Sequence, residues 1–197
     1  MGTFKITGAD NTEKQIRENA IRLITTGDFK GEKVEYSGVT HYKYLDCKPS
    51  NLVTINGMKV HKDLATAFKK MQTDAKADGV NLNIVSAYRS TEYQKVVFPK
   101  KFSNKKNPTE EQFISRLKFS APPGFSEHHT GLAIDINSTE QTFANTKAYK
   151  WLKEHASEYG FEMSFPQGNK QGLGFEPWHW RFVGTSEARQ TFAQARK

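Results

Sequence analysis

The segment Ser126-Glu127-His128-His129-Thr130-Gly131-Leu132-Ala133-Ile134-Asp135-Ile136 changes character at Gly131. Upstream, Pro122-Pro123-Gly124 and the polar residues after it predict loop across 120–131. Downstream, LAIDI predicts a short strand over 132–136, with Leu132, Ile134 and Ile136 on one side and Ala133 and Asp135 on the other. Of the acids in this segment, only Asp135 sits among apolar neighbours and is expected to be buried. A buried carboxylate is costly unless a cation or strong donors meet it. Small Ala133 leaves room beside it for a ligand. His128 lies seven residues before Asp135 and would face away from it in an unbroken strand. Gly131 and the loop let the chain fold back and remove that objection.

Working outward, a second polar cluster is Glu176-Pro177-Trp178-His179-Trp180-Arg181. It predicts a strand over 177–183 with Trp178, Trp180 and Phe182 inward. Pro177 cannot pair normally and starts the strand. Glu176 then falls in the preceding turn, free to swing beside His179. His128, Asp135 and His179 together supply two imidazoles and a carboxylate. That set suits a catalytic Zn²⁺ with its fourth position left for water, whose pKa such an ion lowers to about 7. A nearby carboxylate must then carry the proton to the leaving amine, and Glu176 is the candidate. His129 points the other way and is expected behind the ligands or exposed.

The remaining chain reads as an α+β domain with a small, mostly antiparallel sheet flanked by helices. A helix is predicted over about 12–26, with Thr12 and Gln15 at capping-box spacing and a stripe of Ile16, Ala20 and Leu23/Ile24. Short strands and loop follow over 28–50. Asn56-Gly57 within VTINGMKV (53–60) predicts a hairpin. Leu64, Phe68, Met71 and Ala75 mark a helix over about 61–78, and NLNIVSAYR (81–89) reads as a strand. Further helices are predicted from Ser90, near 108–118, through Ala148 to Tyr159, and after Thr185 or Ser186. Residues 1–50 are expected to be a helix and extension packed on a domain formed by 51–197.

Composition bounds the function. The chain has 197 residues, and 29 basic against 21 acidic side chains give a net charge of +8. With 14 Phe and 7 Tyr it is far from the aromatic-poor composition of disordered chains. Cys47 is the single cysteine, which excludes an internal disulfide framework and Cys-rich zinc sites; a buried structural thiol is expected. No apolar run approaches the ~18 residues that span a bilayer, and no apolar signal-peptide core appears in MGTFKITGADNTEK. The positive charge suits an anionic partner. Lys100, Lys101, Lys105 and Lys106 form the densest basic stretch, read as a solvated loop. No nucleic-acid module signature accompanies them, so nucleic acid is not expected as a partner.

Three blocks, SAYRSTEYQ (86–94), SEHHTGLAID (126–135) and EPWHWRFVG (176–184), resemble the VanY-like D-alanyl-D-alanine carboxypeptidases. These are LAS-type zinc metallopeptidases of the hedgehog/DD-peptidase fold. The resemblance covers about residues 60–183. It implies one zinc ion held by His128, Asp135 and His179, Glu176 as catalytic base, and Arg89 on the substrate or developing oxyanion. Ser126 and Gln94 match family positions near the substrate, and Tyr88 and Trp178 join them as substrate-contact candidates. Ala87 stands where Gly is commoner, and Pro122 where many relatives have Arg, which bears on the pocket. The implied activity is removal of a terminal D-alanine from a peptidoglycan stem peptide, across a D,D or an L,D bond. A lysin-type endopeptidase and a non-catalytic, metal-stabilised wall-binding module are the alternatives. A monomer is expected, acting in the periplasm or cell wall after loss of a leader, or released like a phage lysin. Anionic wall polymers are the partner that the charge then suggests.

Overall fold

The computed structural model describes residues 11–197, with side chains from residue 13 onward. In chain order its elements are α1 (Asn11–Thr26), β1 (Lys33–Tyr36), β2 (Val39–Tyr42), β3 (Leu52–Ile55), β4 (Met58–His61), α2 (Lys62–Ala77), β5 (Ile84–Ser86), α3 (Thr91–Val97), α4 (Glu110–Leu117), β6 (Ala133–Ile136), α5 (Lys147–His155), β7 (Phe161–Met163), β8 (His179–Phe182) and α6 (Ser186–Thr191). No described helix is long and apolar enough to cross a membrane. The MGTFKITGAD stretch, read for a signal peptide, lies outside the described residues.

The chain divides into two compact units, and not at residue 50 as expected. The first unit takes the residues up to 45 together with 90–126 and 170–174. The cause is a shared apolar cluster: Ile21 and Ile24 of α1, Val34 and Val39 of the hairpin, and Phe98, Phe102, Phe113, Leu117 and Phe125 bury one another. Such long-range sharing has no signature in local periodicity. The α1 stripe therefore runs through Ala20, Ile21 and Ile24, while Ile16 is exposed. Thr12 is helical in the described part of α1 and so is not its cap. β1 and β2 pair antiparallel around Ser37 and Gly38, both with positive φ. Lys100, Lys101, Lys105 and Lys106 are exposed, and Phe98, Pro99 and Phe102 anchor the segment that carries the first two.

The second unit comprises 46–89, 127–169 and 175–197. The β3–β4 hairpin turns at Asn56 and Gly57 with φ of 49° and 78°, as a two-residue turn of this kind requires. α2 buries Leu64, Phe68, Met71 and Ala75, and the His61 ring caps it by accepting from the Asp63 amide at 3.2 Å. The main sheet is antiparallel, in the order β5-β6-β8-β7. Only 84–86 of the expected 81–89 strand pair, across a register irregularity. β7 was not anticipated; three residues are too few to show a period. β6 and β8 are buried along their whole length. The second face of β8, with His179 and Arg181, is also closed off from solvent.

Candidate metal centre

The register of β6 against β8 builds the site. Asp135 lies opposite His179, and one step along the same face Ala133 lies opposite Arg181. Asp135 also pairs with Ser86 of β5 on its other side. His128 arrives from a short 3₁₀ turn, Glu127–Thr130, directly before β6. Its Nε2 stands 3.3 Å from Asp135 Oδ2. His179 Nδ1 stands 3.0 Å from Asp135 Oδ1. One donor atom from each of His128, Asp135 and His179 lies within 4.8 Å of the others, and all three residues are buried. Two imidazoles and a carboxylate converging with their donor atoms so close fit a borderline cation of the zinc type.

Gly131 makes the fold-back possible. It has a φ of +67°, and a Cβ there would lie 3.1 Å from the His61 amide nitrogen and 3.5 Å from Cys47 Cβ. The His61 amide donates to the Gly131 carbonyl at 2.8 Å, so that nitrogen is not free to withdraw. Gly131→Ala is expected to cost about 1–3 kcal/mol, the usual range for a strained backbone conformation. Urea unfolding checks it, and an unchanged midpoint would contradict the account.

The charges are tightly coupled. Burial pushes Asp135 up, but His128 and His179 outweigh it and hold the carboxyl well below the usual range. Burial pulls His179 down, yet its hydrogen bonds to Asp135 and Glu127 win and raise it well above an ordinary imidazole. His128 is lowered, chiefly by burial. Glu176 sits in the turn before β8, its amide donating to Phe165 O and its carbonyl accepting from the His179 amide, both at 3.1 Å. Its Oε2 comes within 3.8 Å of His179 Nδ1. Burial first, then the negative charges of Asp135 and Glu127, lift Glu176 to about 7 against the pull of His179 and Arg89.

The other candidates fall as follows. The Arg89 amide donates to His128 O at 3.2 Å, and its positive charge is felt by His128 and Glu176. Tyr88 is half-buried, with its amide on Lys59 O at 2.9 Å. Trp178 is buried, and its carbonyl accepts from the Ile136 amide at 3.0 Å. Ser126 and Gln94 belong to the first unit; both are buried, and Gln94 donates to Ala121 O at 2.6 Å. His129 is fully buried and not exposed; its Nδ1 meets Arg89 O at 2.6 Å, and burial lowers its pKa to about 4. Cys47 is half-buried instead of enclosed, and burial followed by the charge of Asp46 raises its thiol.

Glu127, which is not among the expected site residues, is buried on the far side of the His179 ring from Asp135. Its Oε2 lies 3.1 Å from His179 Nε2, and its Oε1 accepts from Arg181 Nη1 at 2.7 Å. The family model VanY: D-alanyl-D-alanine carboxypeptidase matches residues 57–185. This chain belongs to the VanY family. A D-alanyl-D-alanine carboxypeptidase of Enterococcus faecalis is 32% identical over 144 residues, which are 71% of this chain and 54% of the relative. A mutant of the vancomycin resistance D,D-pentapeptidase VanY, solved in complex with Zn(II), is 30% identical with a TM-score of 0.60, covering 76% of this chain and 85% of its own. The LdcB LD-carboxypeptidase, solved to reveal peptidoglycan recognition, is 31% identical with a TM-score of 0.60, covering 75% and 74%. The fold is thus the hedgehog/DD-peptidase-like arrangement that the motifs implied. The chain spans about half the length of the curated relatives it matches.

Proposed function

We propose that this VanY-family chain is a zinc-dependent carboxypeptidase that removes a terminal D-alanine from peptidoglycan stem peptides. The observation that carries the reading is the buried triad of His128, Asp135 and His179 with Glu176 beside it. His128 Nε2, an Asp135 oxygen and His179 Nδ1 are the atoms that would hold the metal. Zinc supplies a Lewis acid for the scissile carbonyl and lowers the pKa of water. Glu176 accepts the proton of the attacking water and passes it to the leaving amine, as the C–O bond forms and the C–N bond breaks. Arg89 carries the fixed positive charge suited to the developing oxyanion or the substrate's terminal carboxylate. Ser126 and Gln94 are assigned to the substrate because they match family positions, and Tyr88 and Trp178 are further substrate-contact candidates. Peptidoglycan places the work outside the cytoplasmic membrane, where the net charge of +8 favours approach to anionic wall polymers.

Defined tri-, tetra- and pentapeptide muropeptides, weighed before and after incubation with the zinc-loaded chain, test the reading. Loss of one D-alanine from the pentapeptide marks D,D cleavage, and loss from the tetrapeptide marks L,D cleavage. A zinc-loaded chain that releases nothing from any of them would sink the enzymatic reading.

The pH profile follows from Glu176. The base form is the unprotonated carboxylate, so kcat/KM is expected to fall about tenfold per unit as pH drops below the Glu176 pKa. Without metal that pKa is about 7, against an ordinary 4.5. A dication beside the carboxylate pulls it down, so the acid limb of the zinc enzyme is expected between those two values. A profile flat down to about pH 4 would count against Glu176 as the base.

A further inference from the structure

We propose that Glu127 is a positioning residue: it locks the His179 ring so that Nδ1 faces the metal and Nε2–H is donated to Glu127. This rests on the reading of His179 as a zinc ligand. The two ring nitrogens of His179 meet two different carboxylates. Nδ1 lies 3.0 Å from Asp135 Oδ1 and Nε2 lies 3.1 Å from Glu127 Oε2, with all three side chains buried. The nitrogens of an imidazole point away from one another. Glu127 therefore cannot share the metal that His179 Nδ1 binds, and its role must pass through the ring.

Glu127 is itself held at both oxygens. Oε2 also accepts from Ser164 Oγ, and Oε1 accepts from Arg181 Nη1 at 2.7 Å. Arg181 in turn donates through Nε to Glu162 Oε1 at 2.7 Å, and that oxygen also accepts from Arg196 Nε at 2.9 Å. Its guanidinium lies 5.4 Å from the centre of the Phe192 ring. A buried carboxylate fixed in this way presents one acceptor in one direction, and the charge of Arg181 balances its own. The sequence adds a second constraint. Glu127 is the neighbour of His128, so a single 3₁₀ turn delivers one imidazole ligand and the group that orients the other. A carboxylate on the remote N–H of a ligating histidine fixes its tautomer and raises its basicity, and losing such a group typically weakens metal binding about 10–100-fold.

The test measures zinc affinity of the full chain by competition with a chromophoric chelator, for wild type, Glu127→Gln and His179→Ala. A 10–100-fold loss in Glu127→Gln is expected, with the metal-free chain still folded by circular dichroism. A folded Glu127→Gln that binds zinc as wild type does overturns the proposal and leaves Glu127 a structural ion-pair partner of Arg181. If His179→Ala also binds as wild type, the ligand reading itself fails; if it does not, only the role of Glu127 is lost. A second measurement needs no variant. In the zinc-loaded wild type, ¹⁵N-detected NMR of the His179 ring is expected to show the proton on Nε2, and a proton on Nδ1 would overturn the proposal even if Glu127→Gln does not fold.

Discussion

Glu176→Ala is expected to lower kcat by about 10²–10⁴-fold while zinc stays bound, the range that a positioned acid–base group contributes. The side chain lies at the edge of the triad, with Oε2 3.8 Å from His179 Nδ1. Burial and the neighbouring carboxylates of Asp135 and Glu127 raise its affinity for a proton, while His179 and Arg89 oppose that. The result is a carboxyl that can take and return a proton near neutrality. Removing it should leave the three donor atoms of the metal site in place, so zinc content measured by atomic absorption should not change. Glu176→Gln keeps the shape and removes the charge, so its activity should fall about as far. Turnover that survives in either variant with zinc retained would show that the mechanism is wrong. A wild type that binds zinc but never turns over would favour the wall-binding module.

How far the site could be read from the residues depended on whether the relevant contact was local. The alternation of Leu132, Ile134 and Ile136 places Asp135 on the opposite face of one short strand, and β6 has that arrangement. Pro177 forces Glu176 into a turn, and the turn brings it beside His179. Asn56-Gly57 names its own hairpin through backbone chemistry. Glu127 carries no local signal, because its neighbours in sequence are polar and its burial depends on Arg181, 54 positions away. The register gives a hint: Arg181 shares a face with His179, and Ala133 opposite it is small. Reading that hint requires knowing that β6 and β8 pair, which no spacing within either strand reveals. The first unit escaped for the same reason, since Phe98, Phe113 and Phe125 meet α1 across long stretches of chain.

Asp135→Asn is expected to weaken zinc binding by about 10²–10⁴-fold and to abolish activity at sub-saturating metal. Structural zinc sites bind with about 10–16 kcal/mol, so an equal share for one ligand of three or four is about 2.5–5 kcal/mol. Asparagine keeps the size of the side chain but removes the negative charge that meets both imidazoles at 3.0 and 3.3 Å. The charge change also alters the protons that zinc must displace. In the metal-free wild type, hydrogen bonds to Asp135 and Glu127 overcome burial and keep His179 protonated at neutral pH. A ligating imidazole must give up the proton on its metal-facing nitrogen. About one proton per zinc is therefore expected from His179 at pH 7, with a further fraction from Glu176, whose pKa of about 7 the incoming cation lowers. Calorimetry in two buffers of different ionisation heat counts these protons directly. In Asp135→Asn the acceptor that does most to raise His179 is gone, so fewer protons should leave. Equal release from the two proteins would mean that Asp135 is not what keeps His179 protonated in the metal-free chain.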